Sequence, residues 1–301
     1  GIRDVIGRRL NRLSDQCNQT LSTASVIGPE FGFQQLGPLL EELSPDQLLE
    51  SVEEALTAQL IEESPGAPGR YLFAHALIQQ TLGEEHSMAS RLRLHVRIAE
   101  SMEVHLGDEA VNHAAVLAHH YSQGAMLSGT EKMLFFSRLA GEQALENFAY
   151  EEALEHFERA LAVSQDLSMD LQQAQMLHGL GRAQVATLPR NRVGQAIATL
   201  TRAFDFFVES GDLNRAVAVA SIPIEGFGFG HRTGIGSNIE RALALVEPDS
   251  LHAGLLLSRH GRVMGMEEGN FEAAEDNFGQ ALKIARELGD APLELWTLTV
   301  A

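Results

Sequence analysis

Three stretches of this chain repeat one pattern, and an internal repeat narrows the possible folds more than composition does. They are residues 150–161, 195–204 and 271–282. Each carries a small residue, a bulky one and another small one at matching offsets: Ala153, Phe157 and Ala160; Ala196, Leu200 and Ala203; Ala274, Phe278 and Ala281. Steps of four and three put all three on one face of a helix. A glycine precedes each stretch, at Gly141, Gly181 and Gly261. Alanines let a preceding helix approach closely, and the bulky residue fills the gap between units. Ala160 and Ala203 are 43 residues apart; Ala203 and Ala281 are 78 apart, or two units of 39. The extra unit closes near Ile239–Leu243, and its first half, with Pro223 and a glycine-rich stretch, is irregular.

This pattern resembles the tetratricopeptide repeat, which has a glycine in its first helix and Ala-x3-bulky-x2-Ala in its second. Leu177, Leu180 and Gly181 keep part of the first-helix signature, while its Trp and Tyr are absent. The period exceeds the usual ~34 residues, which longer helices would explain. Residues 106–301 are therefore expected to form a tetratricopeptide-like α-solenoid.

Residues 1–105 differ. Ile2–Leu13 reads as an amphipathic helix, with Val5, Ile6, Leu10 and Leu13 on one face. Ser14 and Asp15 can start a second helix reaching about Val26, which Gly28 and Pro29 end. Phe33–Leu43 reads as a short third helix. Ser44 caps a fourth, with Pro45 at its first position, where a missing N–H is harmless. Residues 60–64, the Pro/Gly-rich run 65–69 and residues 70–73 then read as strand, turn, strand. A helix from Ala74 and another over Arg91–Leu106 follow. Several helices and then a hairpin is the layout of a winged helix, so the fold expected is mainly α: a winged-helix domain with a β-hairpin, followed by the solenoid.

Composition excludes several functions. The net charge is −19, and a protein that displaces counterions from duplex phosphates needs a basic surface. No run of 18 uncharged apolar residues occurs, so no membrane span is expected. Cys17 is the single cysteine, which rules out an internal disulfide or a cysteine-based zinc site and fits a reduced, cytoplasmic setting. The chain starts at Gly1 and stops inside a helical pattern, so both ends read as cuts in a longer protein.

Taken together, the segments Val5–Ser14, Ala24–Phe31, Tyr71–Leu82, Arg93–Glu100, Leu117–Tyr121 and Ala140–Leu161 resemble the regulatory region of STAND-type signalling ATPases. These include large LuxR-like regulators and ATPase-linked nucleotide cyclases. The resemblance implies an upstream ATPase module that uses ATP or ADP with Mg²⁺, a winged helix packed on it, and repeats that sense a partner. It also implies a nucleotide-sensing histidine, from a Met-His-Asp motif near the end of the winged helix. His75 matches that histidine, and Ala76 stands where the family has Asp. The chain itself has no G-x-x-x-x-G-K-[ST] phosphate loop, so no cofactor is expected in it.

Other constellations read as structural. His113, His119 and His120 suggest a metal site, but adjacent helical residues point about 100° apart, so His119 and His120 do not readily share an ion. The run Gly226–Ser237 has the look of a phosphate cradle without its Lys-Ser/Thr ending, and reads as a loop between repeat helices. Paired carboxylates such as Glu53-Glu54 and Glu267-Glu268 read as solvated surface, and no enzyme motif is present. Arg8, Arg9 and Arg12, with Arg91, Arg93 and Arg97, leave open an alternative: a free-standing repeat adaptor whose winged helix binds DNA. Residues 1–100 nonetheless hold more acids than bases.

The main expectation is a non-catalytic sensor or scaffold. In a tetratricopeptide array the first helix of each pair lines the groove. Positions just after its glycine, or about three before, face a ligand. Here those are Arg182, Arg262, Arg138 and His178. Guanidinium groups suit carboxylates and phosphates, so the groove is expected to take a protein, an acidic peptide or a small anion. Calorimetry on the chain alone should show no micromolar binding of ATP or ADP; such binding would overturn the absence of a nucleotide site.

Overall fold

The structure is a computed structural model describing residues 2–164, 169–224 and 234–301, with side chains from Ile6 onward. Packing divides the chain into two units, Gly1–Ser137 and Arg138–Ala301. Among the described residues no helix is long and apolar enough to cross a membrane.

The first unit begins with α1 (Ile2–Leu10) and α2 (Asp15–Ile27). Ser14 caps α2, its hydroxyl accepting from the Cys17 amide at 3.1 Å. The third expected helix is cut short: α3 spans Phe33–Leu36, and a single 3-10 turn at Gly37–Leu39 follows. Pro38 lacks the amide an α-helix would need there. α4 (Pro45–Thr57) starts as expected, with Ser44 and Gln47 forming reciprocal side-chain to backbone hydrogen bonds.

The hairpin is present, and it belongs to a three-stranded sheet. β2 (Ile61–Glu63) and β3 (Arg70–Phe73) pair antiparallel, with Ile61 opposite Phe73. The additional strand, β1 (Glu30–Gly32), pairs with the other edge of β3, with Phe31 opposite Tyr71. The spatial order is β1-β3-β2. The buried Phe31 ring meets Tyr71 and Phe73, at centroid distances of 5.9 and 5.5 Å. Three residues are too few to show the alternation that marks a strand in sequence.

α5 (Ala76–Glu85), α6 (Met88–Leu106) and α7 (Ala114–Ser128) complete most of this unit. α2 packs against α4, α5 and α6. Cys17 lies fully buried on α2, where burial, and then the nearby Glu54, push its thiol up to about 12, so it is no nucleophile at neutral pH. The sequence division at residues 105/106 falls at the last residue of α6, and α6 and α7 pack as a hairpin inside the first unit. Gly124 allows that approach: a Cβ there would sit 2.4 Å from Val96.

The second unit takes the end of α8 (Glu131–Glu146) and then α9 (Tyr150–Val163), α10 (Leu171–Thr187), α11 (Val193–Glu209), α12 (Leu213–Ala220), α13 (Ile235–Leu243), α14 (Leu251–Met266), α15 (Phe271–Leu288) and α16 (Ala291–Val300). From α9 on, consecutive helices pack on one another. α12 also meets α14, and α14 meets α16, while α11 meets α13. First and second helices of successive pairs thus form separate rows, the pattern of a stacked helical repeat.

The repeat signature carries this stacking. Ala153, Ala160, Ala196, Ala203, Ala274 and Ala281 are all buried. A Cβ on Gly141 would lie 2.5 Å from the Phe157 ring, and one on Gly179 would lie 2.4 Å from it. Leu200 presses on Gly181 and Phe278 on Gly261 in the same manner, at 2.3 and 2.8 Å. Each bulky residue therefore seats on a bare helix backbone.

Two glycine-to-alanine variants should move stability in opposite directions. Gly179→Ala drives a methyl into Phe157 and is expected to cost about 1–3 kcal/mol. Gly279 lies exposed inside α15 with nothing within 4 Å of a new Cβ, so Gly279→Ala should add about 0.5–1 kcal/mol. Urea midpoints measure both, and a stabilised Gly179→Ala would contradict the wedge.

Candidate partner-binding face of the repeat unit

The row of first helices brings together several basic side chains. His178 and Arg182 are one turn apart on α10, and Arg215 stands at the start of α12. His178 is half-buried and its imidazole is pushed down to about 4, first by burial, then by the charges of Arg182 and Arg215. It is therefore neutral at pH 7 and offers a hydrogen-bonding edge rather than a charge. Arg182 is exposed, and among the described residues no carboxylate lies within ion-pair distance of it.

Arg215 is tied to its own helix start. Asp212 caps α12 by accepting from the Arg215 amide at 3.1 Å, and its carboxylate also pairs with the Arg215 guanidinium. The backbone bond and then the guanidinium hold Asp212 below the usual carboxylate range. Arg215 escapes the sequence rule because α12 has no glycine from which to count positions.

The other two candidate arginines sit differently. Arg138 is largely buried and directs Nη1 at both oxygens of Glu142 on its own helix, 2.8 Å from each. Arg262 is half-buried in a small cavity whose lining includes Arg259, Glu267, Ile235, Ile239 and Met266. Glu267, expected on the solvated surface, is buried there at 8% exposure. It lies just past the end of α14, where the chain turns back into the cavity wall. The guanidinium of Arg259 lies 4.1 Å from the Trp296 ring centroid, linking α14 to α16 by a cation–π contact. Arg259 and Arg262 are three residues apart and share a helix face, a spacing visible in sequence; Trp296 carried no such signal.

In the first unit, His75 is exposed and caps α5, its Nδ1 accepting from the Leu77 amide at 3.1 Å. That bond starts the helix at Ala76, two residues later than sequence suggests. The histidine cluster also regroups. His120 is buried against His95, while the adjacent His119 is exposed, and His113 is exposed ahead of α7. Among the described residues no group of three or more His, Cys, Asp or Glu side chains could hold a metal ion. Residues 226–233 of the glycine-rich run lie outside the described residues.

One consequence is measurable at His178. Replacing Arg182 with Gln removes a nearby positive charge, so the His178 pKa should rise from about 4 yet stay below the ordinary ~6.5, because burial remains. A histidine whose folded pKa lies below its unfolded value adds nothing above pH ~6.5 and loses stability as pH falls from there toward the folded value. NMR titration of the ring Cε1–H resonance would show the rise; an unmoved or lowered value would refute the coupling.

No family model matches the chain, and no curated protein matches it. Among solved structures it is similar to a signal transduction ATPase with numerous domains (STAND) from Pyrococcus horikoshii that has a tetratricopeptide repeat sensor. The alignment has 13% identity and a TM-score of 0.39, and covers 99% of this chain and 48% of that one. The chain thus spans about half the length of that protein.

Proposed function

We propose that this chain is a non-catalytic sensor and scaffold portion of a STAND-type signalling protein, whose repeat unit captures an anionic partner on its row of first helices. The reading rests on one observation above the others: Arg182 is exposed and, among the described residues, has no carboxylate within ion-pair distance, in a chain of net charge −19. An acidic protein has acids to spare for its own arginines. A guanidinium left open beside Arg215 and the neutral edge of His178 is a recognition group for a carboxylate or phosphate.

In this reading the first unit is a winged helix, with α2, α4 and α5 as its helices and the loop between β2 and β3 as its wing. His75 keeps the place of the family's nucleotide-sensing histidine and caps α5 at the same time. The ATPase module, with its ATP or ADP and Mg²⁺, belongs to the rest of the parent protein, and the setting is cytoplasmic. Arg138 and Arg262 would act from the edges of the face, since each is already partly enclosed.

The test uses a fluorescein-labelled peptide of Asp and Glu ending in a free carboxylate, titrated at two salt concentrations. Arg182→Glu is the clean variant, because Arg262 shares its cavity with the buried Glu267. Wild type should bind, more weakly at high salt. Arg182→Glu should lose about 10- to 100-fold, the scale of one charge-assisted hydrogen bond, with helical content and melting unchanged. Equal binding by both proteins, or none by wild type, would overturn the assignment.

A further inference from the structure

Within the first unit two buried imidazoles join α6 to α7 beside the end of α2. Nδ1 of His95, on α6, lies 2.9 Å from Nδ1 of His120, on α7. The residues are 7% and 1% exposed. The backbone of Ile27, the last residue of α2, is hydrogen-bonded to His120. Elsewhere on α2, His86 Nε2 lies 2.8 Å from Ser22 Oγ and 3.0 Å from the Ser22 carbonyl.

Two imidazole nitrogens at this distance share one proton: one Nδ1–H donates and the other Nδ1 accepts. Protonating both rings would set two Nδ1–H groups against each other and bury two charges. The neighbours do not relieve it. α6 contributes the positive Arg91, and α7 contributes His119, whose ring is 5.7 Å from that of His95 and 5.3 Å from that of His120. α2 lines the cleft with Ser25 and Ile27, and α5 places Glu84, an exposed acid, at its rim. His113, ahead of α7, borders His120 from the other side. We infer that His95 and His120 form a proton-operated latch, which holds the α6–α7 hairpin on α2 while both rings are neutral and releases it on acidification.

Burial pushes both rings down, His95 to about 4 and His120 to about 3, with neighbouring imidazoles adding to the effect and Arg91 acting on His95. In the released state each ring meets water and takes its ordinary value of ~6.5. Protons therefore favour release from pH ~6.5 downward, well above the values of the closed state. The release constant should rise by up to about tenfold per pH unit for each ring, or about a hundredfold for the pair.

Amide hydrogen exchange on the whole chain, corrected for intrinsic rates, tests this between pH 7.5 and 5.5. Wild type should lose protection steeply across α6 and α7 below pH 6.5. The double variant His95→Gln with His120→Gln keeps a donor and an acceptor at each position but cannot titrate. It should lose that steepness, while His119→Gln keeps it. An unchanged slope in the double variant would overturn the latch. Should the double variant not fold, the wild-type ring resonances decide: both rings must stay neutral in the folded protein down to pH 5. Titration of either near 6.5 would overturn the proposal.

Discussion

The second unit depends on bulky side chains seated on bare glycine backbone. Phe157, Leu200 and Phe278 each project from a second helix onto a first helix at a glycine. A glycine inside a helix costs roughly 1 kcal/mol in propensity relative to alanine, so each such site sacrifices local helix strength for contact. The return is dense packing between helices whose facing residues are alanines. The buried Ala153, Ala160, Ala196, Ala203, Ala274 and Ala281 bring little apolar surface of their own. They act by letting large neighbours close in, so that a chain with only 6% aromatic residues still builds a continuous core.

Charge is managed by separation. Most acids sit on solvated faces, while several histidines are drawn inside and kept neutral by burial, among them His95, His120, His156 and His178. Arginines divide into two kinds. Arg70 and Arg138 are matched to nearby carboxylates, at 2.7 and 2.8 Å. Arg182 is exposed, with no carboxylate within ion-pair distance among the described residues. With acids in such excess, an open guanidinium reflects placement rather than shortage.

The elements legible in sequence were those whose signal is local. Ser14 and Ser44 announced helix starts through their side-chain oxygens, and the Ala-bulky-Ala spacing announced the wedge helices. Gly28 and Pro29 correctly ended α2. What sequence concealed depends on contacts distant in the chain. β1 exists because β3 offers it an edge, and three residues alone show no alternation. The pairing of His95 with His120 spans 25 residues and has no sequence spacing to betray it. At the candidate face, counting from a glycine singles out His178 and Arg182, whereas the closeness of Arg215 to His178 has no sequence spacing to announce it. Glu267 read as surface because it adjoins Glu268, and only the turn after α14 brings it inside.

Phe157 differs from the other wedges in touching glycines on two helices, Gly141 of α8 and Gly179 of α10. Its ring is thus a spacer as well as a filler. With no side chain on either bearing surface, the ring lies directly against both backbones. Arg138 lies one turn before Gly141, and Arg182 about one turn after Gly179. A single aromatic side chain on the opposite row therefore works as a caliper for the gap between two candidate recognition groups. Residue size at position 157 is a way to retune the width of that face without altering any residue on it.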